Sequence, residues 1–111
     1  GNNVYPRQVE EALYRHEGVA EACVVGLENE LWGETIHAVV VARPGTALDR
    51  ESFLQWAHEQ LPTDRRPRSV DFVEALPKNH YGKILRREIR DEARARHTRR
   101  DEAQAIGNSR S

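Results

Sequence analysis

The chain has 111 residues, with 17 Lys and Arg against 18 Asp and Glu and a formal net charge of -1. That balance argues against a protein that coats a polyanion, and the length suits one domain with one modest core, burying roughly two-thirds of the unfolded surface. Cys23 is the only cysteine, so no internal disulfide can form; no apolar run nears the ~20 residues of a membrane span, and no export signal opens the chain. A cytoplasmic protein without a membrane span is expected.

In chain order, Pro6 suits the first turn of a helix, and Val9, Ala12, Leu13 and His16 follow on one face before Gly18, which predicts a helix over 7–17. Two runs of small, β-branched and apolar residues, 19–27 and 35–42, flank the polar stretch ENELWGE and predict two neighbouring antiparallel strands. Arg43-Pro44-Gly45 is turn chemistry, and Asp49 is a good N-cap for a second helix carrying Phe53, Leu54, Ala57 and Leu61 and ended by Pro62. Val70 and Phe72 alternate with Asp71 in a third strand over 69–76, closed by Pro77. Leu85, Ile89 and Ala93 predict a third helix from about residue 84 into the nineties, with Arg87 and Asp91 or Glu92 and Arg96 as possible i, i+4 pairs. The charged remainder, 98–111, is expected to be a disordered tail.

The loop between the third strand and the third helix, PKNHYGKILRR, carries the chemistry. The order of elements predicts Lys83 at the mouth of a helix N-terminus, where backbone N–H groups favour anions. Lys83, Arg86 and Arg87 are misplaced there unless an anion joins them. Of the 17 basic residues only Lys78 and Lys83 are lysines, and both fall in this loop; a flexible ammonium suits a point contact with phosphate or a developing oxyanion better than a planar guanidinium does. Gly82 permits a left-handed backbone that projects Lys83 outward. A glycine before a basic amphipathic helix is also an ordinary turn with a solvated face, and the residues alone leave both readings open.

Two separated motifs resemble the C-terminal domain of AMP-forming acyl-CoA synthetases, a branch of the adenylate-forming enzymes. GNNVYPRQVEEAL, residues 1–13, is similar to the segment that follows the family's interdomain hinge, and LPKNHYGKILRREIR, residues 76–90, to its terminal Pro, Gly-Lys, apolar pair and Arg-Arg motif. The WGE element at Trp32, Gly33 and Glu34 also matches, so the resemblance covers about residues 1–90. It implies an α+β fold with a small three-stranded mixed sheet and flanking helices in the order α-β-β-α-β-α, as a lid domain over 1–97.

The resemblance further implies a part of an ATP-dependent acid-thiol ligase. Lys83 would reach the carboxylate and α-phosphate region during adenylation, with Pro77 and Gly82 supporting the loop, while Gly1, Asn3 and Tyr5 would line the pantetheine tunnel in the thioester-forming orientation. ATP, magnesium and coenzyme A are the implied cofactors of the full-length enzyme, with none expected on this domain alone. Its partners would be an N-terminal AMP-binding domain and a carboxylic acid, fatty or aryl.

Gly1 opens directly on a motif with no initiator Met, so a piece of a longer chain, inactive alone, is expected. The Leu-Arg-Arg ending resembles acyl-CoA ligases more than carrier-protein-loading adenylation enzymes, which stand as the alternative beside a free-standing docking module without activity. Nucleic-acid binding by residues 86–100 is disfavoured because Asp91 and Glu92 interrupt the basic face. The five His residues lack the paired spacing of a zinc site, and no metal ligand is expected. Cys23 reads as a buried strand residue, Trp32 and Trp56 as packing residues, His80 and Tyr81 as exposed loop residues, and Glu34 as a cap or salt-bridge partner.

Overall fold

The computed structural model describes residues 6–31 and 33–109, with side chains through Arg99. The readings made for Gly1, Asn3, Tyr5 and Trp32 fall outside the described residues. The elements are α1 (Pro6–Leu13), β1 (Val19–Asn29), β2 (Gly33–Ala42), α2 (Arg50–Gln60), β3 (Ser69–Phe72) and α3 (Arg86–Ser109), with a 3-10 turn at Thr63–Arg65. The expected order and the small mixed sheet are both present.

β2 lies between β1 and β3. It pairs antiparallel with β1, from Val19 opposite Ala42 to Asn29 opposite Gly33, and parallel with β3, from His37 opposite Ser69 to Val40 opposite Phe72. β1 and β2 read as nearly continuous apolar runs because both faces of the sheet are covered. On one face Val24, Ala38, Val40 and Val70 pack with Val9 and Leu13 of α1 and Phe53 and Ala57 of α2. On the other, Cys23, Val25 and Val39 pack with Leu76 and with Ile89 and Ala93 of α3.

Several boundaries differ from the expected ones for local reasons. α1 stops at Leu13 rather than 17, because Arg15 and His16 donate their N–H groups to Ala12 and Leu13 in tight turns and the His16 ring accepts from the Gly18 N–H at 2.9 Å. His16 instead packs edge-on against Trp56, ring centroids 4.8 Å apart. β3 ends at Phe72, opposite Val40, after which the chain bends to bury Leu76. α3 continues as helix through Ser109, beyond the expected end in the nineties; it contains no proline, and Gly107 is its first glycine. α2 begins where expected, with Asp49 Oδ2 accepting the Ser52 N–H at 2.9 Å, and that bond holds the Asp49 carboxyl below its usual range.

One polar cluster lies inside. His37, 1% exposed, meets Asp71, 3% exposed, through Nε2 and Oδ2 at 3.0 Å and Ser69 Oγ through Nδ1 at 2.6 Å. Arg96 of α3 donates from Nε to Asp71 Oδ2 at 3.1 Å, and Arg50 of α2 lies 3.8 Å from the other carboxylate oxygen. A buried carboxylate left alone would cost several kcal/mol; here its partners tie β2 and β3 to helices on opposite faces.

Candidate active-site hairpin

Between β3 and α3 the chain forms a small hairpin. Buried Leu76 anchors its start, the Pro77 C=O accepts the Leu85 N–H at 2.9 Å, and Lys78 and Ile84 form an antiparallel bridge. The tip, Asn79 to Gly82, is a turn in which the Gly82 N–H donates to the Asn79 C=O at 3.0 Å. Gly82 has φ of 81°, and a Cβ placed there would meet nothing within 4 Å. Glycine is therefore required by the backbone conformation and not by crowding. His80 and Tyr81 are exposed as expected, Tyr81 at 94%.

The expected position of Lys83 at a helix mouth needs correction. α3 begins at Arg86, and Lys83 lies on the second arm of the hairpin, where its N–H donates to Asn79 Oδ1 at 3.0 Å and its C=O accepts the Asn79 N–H at 2.9 Å. These bonds satisfy its backbone before the helix starts.

The structure also separates the cations that the sequence grouped. Lys78 Nζ donates to Glu21 Oε2 of β1 at 2.8 Å. Arg86 reaches past the edge of β1, donating from Nη1 to Glu10 Oε2 at 2.5 Å and to the Val24 C=O at 2.6 Å, and from Nη2 to Glu10 Oε1 at 3.2 Å. Glu10 Oε2 accepts the Val24 N–H at 2.7 Å as well. The bond to Glu10 raises the Arg86 pKa further, so this guanidinium is a fixed cation. Farther along α3, Arg90 pairs with Glu34 at 3.3 Å and Arg94 with Glu28 at 2.6 Å, and the bond from Arg94 lowers the Glu28 pKa. Glu34 thus has the salt-bridge role expected of it.

Lys83 is different. Among the described residues its ammonium has neither an ion pair nor a hydrogen bond, and it stands exposed beside the tip. A strongly hydrated point charge on a flexible stem is thereby left available to a ligand. Burial pushes the nearby Cys23 thiol up to about 11, a rise partly offset by Arg86, so Cys23 stays a neutral core thiol, unsuited to nucleophilic work. Among the described residues no group of three or more His, Cys, Asp or Glu is placed to hold a metal ion, and no helix is long and apolar enough to cross a membrane.

Pro77, Gly82 and Lys83, proposed from sequence, thus share one hairpin. Pro6, inside the 1–13 motif, lines an open cleft of about 670 Å³ with Val24, Gly26, Glu34, Arg86 and Arg87. Sequence reading missed Asn79 and Glu10, whose partners lie in the hairpin and at the start of α3.

A family model described as the AMP-binding enzyme C-terminal domain matches residues 8–83 and ends on Lys83. The chain belongs to that family. It is 46% identical over 91 residues to the 3-[(3aS,4S,7aS)-7a-methyl-1,5-dioxo-octahydro-1H-inden-4-yl]propanoyl:CoA ligase of Mycobacterium tuberculosis, a match covering 82% of this chain and 18% of that protein. The fatty acid–[acyl-carrier-protein] ligase ScoC of Streptomyces coeruleorubidus is likewise 46% identical over 91 residues, again covering 82% and 18%. Among solved structures, ATP-bound MatB from Rhodopseudomonas palustris superimposes with a TM-score of 0.78 at 33% identity, covering 85% of this chain and 19% of that one. The chain spans less than a fifth of the length of these two curated relatives, 18% of each.

Proposed function

We propose that this domain is the C-terminal lid of an ATP-dependent, AMP-forming acid-thiol ligase and that it delivers Lys83 to the adenylation site of a neighbouring N-terminal domain. The observation that carries the reading is the unpaired, exposed ammonium of Lys83 on a hairpin whose other lysine and whose adjoining arginine, Arg86, are both committed to carboxylates. When the lid closes, the ammonium approaches the oxygens of the acid carboxylate and of the α-phosphate as they are drawn together. It offsets their mutual repulsion and the charge on the departing pyrophosphate, in a site from which closure has removed water. Pro77 and Gly82 shape the hairpin that presents it. ATP, magnesium and the acid are held by the neighbouring domain.

In a second orientation of the same lid, the segment holding Gly1, Asn3 and Tyr5 faces the active site and borders the pantetheine arm of the acceptor thiol. Coenzyme A is the acceptor favoured by the Leu-Arg-Arg ending; the similarity to a carrier-protein ligase supports a protein-bound pantetheine as a second reading, and assaying both thiols separates them. A cytoplasmic setting fits these substrates.

The test is Lys83→Ala in the full-length enzyme. Pyrophosphate release should fall by about 10²- to 10³-fold, while thioester formation from supplied acyl-adenylate continues. Equal loss of both half-reactions would refute the role.

A further inference from the structure

We infer that Asn79 is the positioning residue of Lys83: its side-chain carbonyl fixes the backbone from which the ammonium is projected, so that adenylation, and not thioester formation, depends on it. This rests on the reading of Lys83 given above. The lysine stem has four flexible carbons, so the volume its ammonium can search is set by where its Cα is held. Asn79 holds that Cα from both sides. Its Oδ1 accepts the Lys83 N–H at 3.0 Å, and its own N–H donates to the Lys83 C=O at 2.9 Å.

The same Oδ1 accepts the Tyr81 N–H at 2.9 Å, and the Asn79 C=O accepts the Gly82 N–H at 3.0 Å. One residue therefore closes the turn with four hydrogen bonds, two of them through a single side-chain oxygen. An amide oxygen has two acceptor sites, and asparagine has the reach to bond backbone N–H groups a few residues ahead. Lysine and alanine cannot do this, and neither Lys78 nor Tyr81 takes over: Tyr81 is 94% exposed, and the ammonium of Lys78 is committed to Glu21.

Without Oδ1 the N–H groups of Tyr81 and Lys83 turn to water, the left-handed Gly82 loses the bonds that flank it on either side, and the ammonium samples positions away from the reacting oxygens. Placement errors of about 1 Å can cost on the order of 10²-fold in rate.

The experiment compares Asn79→Ala, Asn79→Asp and Lys83→Ala in the full-length enzyme, measuring pyrophosphate release, thioester formation from supplied acyl-adenylate, and amide exchange of the peptide covering residues 77–85. Asn79→Ala should lower kcat for pyrophosphate release by about 10- to 100-fold with little change in KM for ATP or acid, leave the thioester step within about twofold, and speed exchange at Tyr81 and Lys83. Asp keeps two acceptor positions, so Asn79→Asp should restore slow exchange and recover most of kcat. The inference is overturned if Asn79→Ala adenylates like the unaltered enzyme, if both half-reactions fall together, or if Asp and Ala are equally impaired. Should Lys83→Ala leave adenylation intact, the assignment of Lys83 fails instead, whatever Asn79 does, and the exchange data still show whether Asn79 holds the turn.

Discussion

Lys78 and Lys83 stand five positions apart on the two arms of one hairpin, yet they occupy opposite electrostatic conditions. Lys78 is bonded across to Glu21 of β1, and Arg86, Arg90 and Arg94 are likewise matched along α3 by Glu10, Glu34 and Glu28. Lys83 has no such partner among the described residues. The contrast shows how one hairpin separates the charges that attach it to the body from the charge it presents. Local residue type does not reveal which is which; the carboxylates of α1, β1 and β2 do.

The largest expected effect in breaking this contrast comes from Lys83→Arg, which keeps the charge but changes its shape. A planar fork on a longer stem misplaces the donors, so adenylation measured by pyrophosphate release should still fall about 10²-fold. Arg86→Ala strikes the attaching side. It removes the bonds to Glu10 and to the Val24 C=O and leaves Glu10, whose side chain is 16% exposed, without its guanidinium. With half of Arg86 in solvent, the loss should be about 2 kcal/mol, read as a lower urea midpoint.

Cys23 gives a subtler probe of the same region. Its folded pKa is raised from 9.0 to about 11 by burial, so the folded chain retains a proton that the unfolded chain gives up. The stability this contributes is fully present below pH 9.0 and is lost as pH rises toward about 11. Urea midpoints across that interval should decline more steeply for the unaltered protein than for Cys23→Ala. The smallest effect belongs to Lys78→Ala: an exposed pair contributes up to about 1 kcal/mol, and adenylation should be nearly unchanged. An adenylation defect in Lys78→Ala as large as that of Lys83→Arg would erase the distinction between the two lysines.

Hydrophobic period and turn residues were sufficient to read the element order, because β1 and β2 carry nearly continuous apolar runs and Asp49, Pro62 and Pro77 punctuate the chain. The hairpin could be picked out as a candidate site only through its resemblance to a family motif with adjacent Gly82 and Lys83; the residues alone fitted an ordinary turn equally well. What was not legible depends on contacts remote in sequence. Glu10 and Arg86 lie 76 positions apart, and Lys78 and Glu21 lie 57 apart. His37 and Asp71 meet only because β2 and β3 pair in parallel with His37 opposite Ser69. Asn79 was visible, but as one polar loop residue among several; only the turn geometry shows that its oxygen accepts from Tyr81 and Lys83.

The arrangement around Val24 has a consequence for assembly. β1 is an outer strand, and an outer strand's free N–H and C=O groups are a template onto which another chain can zip. At Val24, both outward groups are already occupied, by a carboxylate from α1 and a guanidinium from α3. Glu10 and Arg86 thus act as a two-residue surrogate for the missing neighbouring strand. The seam that holds the helical layers together also blunts the sheet midway along its open edge, so the proposed lid is guarded there against edge-to-edge aggregation.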